Sequence, residues 1–391
     1  MNSPTDLRAQ QAQTWACEQL HLSAAGFTPA SADASFRRYF RLRDGQRSWI
    51  VMDAPPERES CRPFVDIARL LRSWGLNTPE ILAEDHERGF LLLSDLGEKT
   101  YLQILTPENA DEYFGYAIQG LLKIQVNARD RAPDMQFLPS YDAALLWREA
   151  RLFTEWYLPQ HLKLTLTAEA ATDLERVIGL LVKSALAQPR TFVHRDYMPR
   201  NLMLSDPIKK NGGQRPPADV PLHAQRGEGR AAPTPQSKNL LCGGPGAGGA
   251  SGGVREETSL LVSPGILDFQ DAVAGPISYD VICLFKDAFL SWPEARVTGW
   301  LQQYWEQARQ AALPVPLSVA EFQRQADWMG LHRHLKVLGI FARLSYRDGK
   351  AHYVADTPRF VRYVMEVAPK YPELAPLTEL FERHILPQIS L

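Results

Sequence analysis

The run His194-Arg195-Asp196-Tyr197-Met198-Pro199-Arg200-Asn201 places a His, an Asp and an Asn at the spacing HxDxxxxN, with apolar Phe192-Val193 before it and Leu202-Met203-Leu204 after it. Phosphoryl transfer needs a carboxylate beside an attacking hydroxyl and an oxygen ligand for a divalent cation, and an Asp and an Asn five apart on one loop supply both. Asp196 is therefore the candidate base and Asn201 the candidate Mg²⁺ ligand. Turn chemistry between two strands would use the same two residue types, so the pattern alone leaves both readings open. A second run, Gly265-Ile266-Leu267-Asp268-Phe269-Gln270-Asp271, reads as a short apolar strand ending in a carboxylate. Asp268 there suits a second Mg²⁺ contact, because a hard cation prefers oxygen ligands and leaves positions for phosphate and water.

Elements must carry these loops to one place. Ser3-Pro4-Thr5-Asp6 reads as a helix start, with the helix running to about Leu22. Residues 34–42 and 48–53 are β-prone and flank Arg43-Asp44-Gly45-Gln46, a hairpin signal. Phe64, Ile67, Leu70, Leu71 and Trp74 recur at helical spacing, and apolar runs at 80–84 and 89–94 follow. Strand, strand, helix, strand, strand is the order of a kinase-like N-lobe. From Thr106-Pro107 onward the pattern is helical, with Thr106 as the expected cap of a helix bearing Tyr113, Ala117, Leu121 and Ile124. Short strands at 191–194, 202–204 and 265–269 interrupt that pattern. The expected fold is α+β with two lobes: a small sheet-bearing N-lobe over residues 1–96 and a larger helical C-lobe over residues 97–391.

Composition narrows the function classes. With 391 residues, 45% hydrophobic and 23% charged, the chain can bury an enzyme-sized core. A formal charge of −2 and the lack of a Lys/Arg block give no drive toward nucleic acid. Cys17, Cys61, Cys242 and Cys283 show no CxxC spacing, which fits a reducing cytoplasm better than a disulfide framework. The N-terminal residues lack an apolar signal core, and no apolar run approaches the roughly 18 residues of a membrane span. No nucleic acid, membrane or obligate protein partner is expected.

FVHRDYMPRNLML and GILDFQDAVAGPISYDVICLF resemble the catalytic and metal loops of the aminoglycoside phosphotransferase and choline kinase superfamily. Within it, ASFRRYFRL, IVMDAPPE, GFLLLSDLGEKTYL and LHRHLKVLGIFARL resemble the bacterial kinases that phosphorylate the anomeric hydroxyl of N-acetylmuramate and N-acetylglucosamine, over about residues 10–205 and 264–390. The resemblance implies the protein-kinase-like fold, ATP and Mg²⁺ as cofactors, a small amino-sugar substrate and a place in peptidoglycan recycling. It implies Asp196 as base, Asn201 and Asp268 as metal ligands, and Asp280 as a buried carboxylate bracing the catalytic loop beside His194. No GxGxxG precedes the first hairpin, so Ser35, Phe36, Arg37 and Arg38 are the expected cover for the phosphates, and Asp95 and Leu96 the expected hinge beside adenine. Ile50-Val51-Met52-Asp53 carries no lysine for the phosphates, which the resemblance tolerates through the shared MDAPP form. Arg200, Arg333 and Arg343 are candidates for the acceptor, with His332, His334 and Tyr346 nearby in sequence or on the same late helix. Other small-molecule kinases, of aminoglycosides, choline or homoserine, stay open as alternatives, as does a non-catalytic nucleotide-binding regulator. The Arg- and His-rich late helices speak against a cationic substrate, and intact Asp196, Asn201 and Asp268 against a mere regulator.

Residues 206–265 hold 12 glycines, eight prolines and no Phe, Tyr or Trp, so they cannot bury enough apolar surface to offset their ordering entropy. A disordered insertion at 206–264 is the expectation, and it accounts for most of the 67-position separation of Asn201 and Asp268. Replacing residues 208–262 by a short Gly-Ser bridge is expected to leave folding and turnover nearly unaltered, and to add about 1 kcal/mol of stability through the shorter loop. Thermal melting and steady-state rates check this; a large fall in either contradicts it.

Overall fold

The computed structural model describes residues 6–23, 25–32, 36–204 and 263–389. Ser35 lies outside the described residues, as does the expected insertion at 206–264 apart from Ser263 and Pro264.

Helix α1 (Leu7–Gln19) starts on Asp6, whose side chain accepts from the Ala9 amide at 3.0 Å. The expected cap, Ser3, lies outside the described residues. A five-stranded antiparallel sheet follows in the order β1-β2-β3-β5-β4. Its strands are β1 (Gly26–Ala32), β2 (Arg38–Asp44), β3 (Arg47–Asp53), β4 (Ile81–Asp85) and β5 (Phe90–Ser94). The β2–β3 hairpin pairs Asp44 with Arg47 across Gly45-Gln46, and Gly45 takes the turn at φ 59°. Strand β1 was absent from the sequence expectation. It carries one large apolar residue, Phe27, and a Pro29 beside which the register shifts, a composition that an edge strand accommodates.

Alternation along the strands splits the sheet between two cores. Leu42, Val51, Phe90 and Leu92 turn toward α1, where the Trp15 ring lies 5.8 Å from that of Phe90. Met52, Leu91 and Leu93 turn toward α2 (Arg62–Ser73) and its Phe64, Ile67 and Leu71. This second core continues into the rest of the chain: Phe64 packs at a tilt on Phe269 with ring centroids 4.9 Å apart, and Trp74 meets Phe192 edge-on at 6.0 Å. Sheet, α2 and the two motif loops therefore share one hydrophobic cluster.

Beyond the sheet the chain is mainly helical. After α3 (Tyr101–Ile104), α4 (Ala110–Asp130) begins at Asn109; Thr106, the expected cap, instead donates its amide to the Asn109 side chain at 2.8 Å. Helix α5 (Ala143–Leu152) runs into a π-helical stretch at Phe153–His161, and α6 (Ala168–Ala187) follows. Strand β6 (Arg190–Val193) pairs antiparallel with β9 (Val273–Pro276), while β7 (Leu202–Met203) pairs with β8 (Gly265–Ile266). Helices α7 (Tyr279–Phe285), α8 (Glu294–Gln310), α9 (Val319–Tyr346) and α10 (Thr357–Val367) complete the part that concerns the site. The architecture is α+β, with an N-terminal antiparallel sheet and a mostly helical remainder. Among the described residues no helix is long and apolar enough to cross a membrane.

Helix α9 is the centre of the helical part, and it approaches the end of α5 most closely at Gly339. A Cβ there would stand 2.2 Å from the Leu152 carbonyl carbon and 2.4 Å from its oxygen. Backbone cannot swing aside as a side chain can, so Gly339→Ala is expected to destabilise the protein by about 3 kcal/mol, the upper part of the range for overpacking. Denaturant unfolding measures this; a variant as stable as the parent would show that the two helices can separate freely.

Candidate active site

Strand β6 delivers His194 into the interior, fully buried, and the chain turns at once. Arg195 adopts φ 75°, a left-handed conformation uncommon for a residue with a side chain. Asp280, on the first turn of α7, holds this turn: one carboxylate oxygen accepts from the His194 amide at 2.7 Å and the other from the Arg195 amide at 3.0 Å. Burial pushes Asp280 up to about 7, against the two amides and Arg333, which favour its ionised form. His194 is pushed down to about 4 by burial, so its ring is neutral at neutral pH.

The Arg195 side chain is anchored as well. Its guanidinium pairs with Glu149 of α5, and the same carboxylate takes the Lys336 ammonium at 2.9 Å and the Tyr141 hydroxyl. Lys336 also donates to the Tyr279 hydroxyl at 3.0 Å. Burial alone would raise Glu149, but Lys336 and Arg195 bring it down to about 2. Asp196 thus follows a residue fixed by both its backbone and its side chain.

The loop closes on itself at Asn201. Its amide nitrogen donates to the Asp196 carbonyl at 2.9 Å and to Asp268 Oδ2 at 3.3 Å, and the Leu267 amide donates back to the Asn201 carbonyl at 2.9 Å. Pairing of Leu202 with Ile266 sets Asn201 and Asp268 at the same end of the β7–β8 ladder. Asp268 has φ 64°, and Gln270 donates to its other oxygen at 2.8 Å. Two left-handed non-glycine residues, Arg195 and Asp268, flank the same site, where strain of order 1–3 kcal/mol each is sustained by the surrounding bonds. The donor set fits a hard divalent cation: the Asp268 carboxylate and the Asn201 amide oxygen could hold Mg²⁺, which needs only one or two protein carboxylates when phosphates complete its shell.

A cleft of about 310 Å³ runs from these residues to the end of β5. Arg200, Asn201 and Asp268 line one end; Ser94, Asp95, Leu96 and Gly97 line the other; apolar Tyr39, Ile50, Leu93 and Met203 lie between. This is the shape for a flat apolar base at one end and phosphates at the other. Asp95 does not offer a free carboxylate: Arg41 grips it through Nε at 2.6 Å and Nη2 at 3.1 Å and also reaches the Gly97 carbonyl at 2.6 Å. Although burial works against charge on Asp95, Arg41 and the Gly97 amide hold its carboxyl below the usual range.

Several expected residues lie elsewhere. Tyr39 and Arg41 of β2 face the cleft, so the period of the strand turns Arg38 to the α1 side, where it pairs with Asp53 at 2.5 Å and with Asp6. Arg37 is buried against Glu59 at 3.2 Å, and Phe36 is 60% exposed under Arg58. Neither arginine lines the cleft, and Ser35 lies outside the described residues. Arg333 is buried and donates to the Lys286 carbonyl at 3.3 Å, with Asp196 and Asp287 among its charged surroundings. Arg343 has Arg347 and Asp348 as its charged neighbours and does not line the cleft. His332 bonds the Leu146 carbonyl at 2.9 Å, His334 packs against Tyr363, and Tyr346 meets His161 at 3.1 Å. Sequence reasoning missed Arg41, Glu149 and Lys336. Glu149 did leave a signal, since it stands with Leu146 and Ala150 on the buried stripe of α5, where a lone carboxylate requires partners.

The profile of the family described as "Phosphotransferase enzyme family" matches residues 26–213. An N-acetylmuramate/N-acetylglucosamine kinase of Pseudomonas putida is 46% identical over 385 residues, covering 96% of each chain. Its counterpart in Pseudomonas aeruginosa is 47% identical over 91% of this chain and 88% of that one, and the one in Neisseria meningitidis is 37% identical over 90% and 89%. Among solved structures, the GDP complex of an aminoglycoside 2'-phosphotransferase superposes with TM-score 0.58 at 10% identity, covering 91% of this chain and 98% of that one. Choline kinase LicA of Streptococcus pneumoniae superposes with TM-score 0.53 at 12% identity, covering 91% and 99%. These two show a shared fold. With the fold, the paired motif loops and relatives at this identity over nearly the whole chain, the protein belongs to the phosphotransferase enzyme family, in the group of the N-acetylmuramate/N-acetylglucosamine kinases.

Proposed function

We propose that this protein is a kinase transferring the γ-phosphoryl group of Mg²⁺·ATP to the anomeric hydroxyl of N-acetylmuramate and N-acetylglucosamine, in the cytoplasm, as a step of peptidoglycan recycling. The observation that carries it is that Asn201, bonded to the Asp196 backbone carbonyl and to Asp268, lines with Asp268 a nucleotide-sized cleft in a chain with relatives of that name at 46–47% identity. Residues 1–96 act as the nucleotide-binding lobe and residues 97–391, with the insertion, as the lobe that holds the acceptor.

Asp196 accepts the proton of the sugar hydroxyl as its oxygen bonds to the γ-phosphorus; the bond from that phosphorus to the β,γ-bridging oxygen breaks, and ADP leaves with the electron pair. Asn201 and Asp268 hold the Mg²⁺, which when bound supplies charge neutralisation at the phosphates. Asp280 and Glu149 keep the turn before Asp196 in place. The hinge at Ser94 to Gly97 presents backbone groups to the base, with Arg41 fixing Asp95 out of its way. Arg333, buried below Asp196, supports the acceptor side from beneath.

Phosphorus NMR of N-acetylmuramate incubated with ATP tests the reading: a phosphate on the anomeric carbon is expected, and no product, or phosphate on another hydroxyl, overturns it. Asp196→Asn should keep nucleotide affinity within about twofold while turnover falls by about 10²–10⁴, the range of a lost general base. Turnover at the parental rate would remove Asp196 from that role. Asp268→Ala should raise the Mg²⁺ concentration needed for half-maximal rate and depress turnover together, with Asn201→Ala acting the same way more mildly. Unchanged metal dependence in both places the cation elsewhere.

A further inference from the structure

Kinases commonly pair the α- and β-phosphates with a lysine from the third strand, while the charge spread over the three oxygens of the γ-phosphoryl group in transfer is met by metal ions and arginines. Here that strand offers Met52, fully buried among the side chains facing α2. The charge must be met by another cation, and the arginines near the sheet are already committed. Arg37 is held by Glu59, Arg38 by Asp53 and Asp6, Arg43 by Glu98, and Arg41 by Asp95 at the hinge end of the cleft. Arg195 is held by Glu149.

Arg200 differs from all of these. It lines the cleft beside Asn201 and Asp268, and among the described residues no carboxylate lies within ion-pair distance of it. Its guanidinium rests on the face of Phe289 at 4.9 Å, an apolar platform that orients the planar fork without neutralising it. Its backbone belongs to the tight turn Pro199–Asn201, closed by the Asn201 amide on the Met198 carbonyl at 2.8 Å, so it is carried by the same turn as the expected Mg²⁺ ligand. A half-buried cation with no carboxylate partner among the described residues, next to the phosphate end of a cleft, is an arrangement that an anionic ligand completes.

We propose that Arg200 is a catalytic residue that binds the γ-phosphoryl group and stabilises it during transfer. This rests on the reading of the cleft as an ATP site but not on which sugar accepts the phosphate. The bonds made and broken are those given above; Arg200 exchanges no proton and contributes two N–H donors and a positive charge to the oxygens of the group in flight.

The test is nucleotide binding with Mg²⁺ by calorimetry, using ADP and the imido analogue of ATP, alongside steady-state kinetics with both sugars. In Arg200→Ala, affinity for the imido analogue should fall about tenfold while affinity for ADP stays within about twofold. Turnover with N-acetylmuramate and with N-acetylglucosamine should fall together by about 10²–10³, below the upper range for arginines that contact a transferred phosphoryl group. Added guanidinium should restore part of the rate, and Arg200→Lys should retain more activity than Arg200→Ala. Analogue and ADP affinities both unchanged would overturn the proposal. So would a loss confined to N-acetylmuramate with N-acetylglucosamine unaffected, since Arg200 would then be reading the lactyl carboxylate of the acceptor. If neither sugar is phosphorylated by the parent enzyme, the proposed acceptor is wrong, while the two nucleotide affinities still decide the role of Arg200.

Discussion

Everything at the site depends on one strained turn. Arg195 sits at φ 75°, and this conformation redirects the chain so that Asp196 leaves the interior that His194 has just entered. An L-residue does not hold that geometry unaided. Two carboxylates hold it from opposite sides: Asp280 takes the two consecutive amides, and Glu149 takes the guanidinium. One lies on α7 and the other on α5, so the turn is tied to two helices that pack against α9. The stiffness of the helical part is thereby transmitted to a single loop residue, and the rest of the site is assembled around its successor.

Magnitudes separate this network from the many ion pairs on the surface. An exposed pair such as Arg43–Glu98 contributes about 0–1 kcal/mol and is screened by salt. Glu149 is buried with two cations on it, and removing one partner of such a group costs on the order of 3–5 kcal/mol because a charge is left without compensation. The arrangement is therefore poor as a source of stability compared with an apolar replacement, yet strong as a constraint on geometry. It also places two buried cations, Arg333 and Lys336, within electrostatic reach of Asp196.

The sequence was informative wherever chemistry or strong periodicity was local. HxDxxxxN and the strand ending in Asp268 could be read as one site because each is a short run with fixed residue types, and the Asp44-Gly45 turn announced its hairpin. Strand β1 was not legible because Pro29 and its small neighbours suppress alternation, and its pairing with β2 comes from the edge position it finds in the sheet. Arg38 faces away from the cleft for a related reason. Residue type says that an arginine suits a phosphate, but the face it occupies follows from the phase of the strand, set here by Tyr39 and Arg41 lining the cleft. Glu149 and Lys336 lie 187 positions apart and meet only through the packing of α5 on α9, which no local pattern encodes.

The separation of the two motif loops follows from the same distinction between local and assembled geometry. Asn201 and Asp268 need the right distance in space, and that distance is fixed by Leu202 opposite Ile266 and Met203 opposite Gly265. Further bonds hold the ladder from outside: the Ile266 amide donates to the Asn77 carbonyl at 2.8 Å and the Leu204 amide to the Lys99 carbonyl at 2.8 Å. Phe269 adds an apolar contact through Phe64 of α2. With the register set by strand pairing and by three neighbouring elements, the number of residues joining β7 to β8 enters only through loop closure, where each doubling costs about 0.6 kcal/mol. A long, glycine-rich connection between the two motif loops is then a modest thermodynamic burden, because the site is positioned by what flanks the connection in sequence.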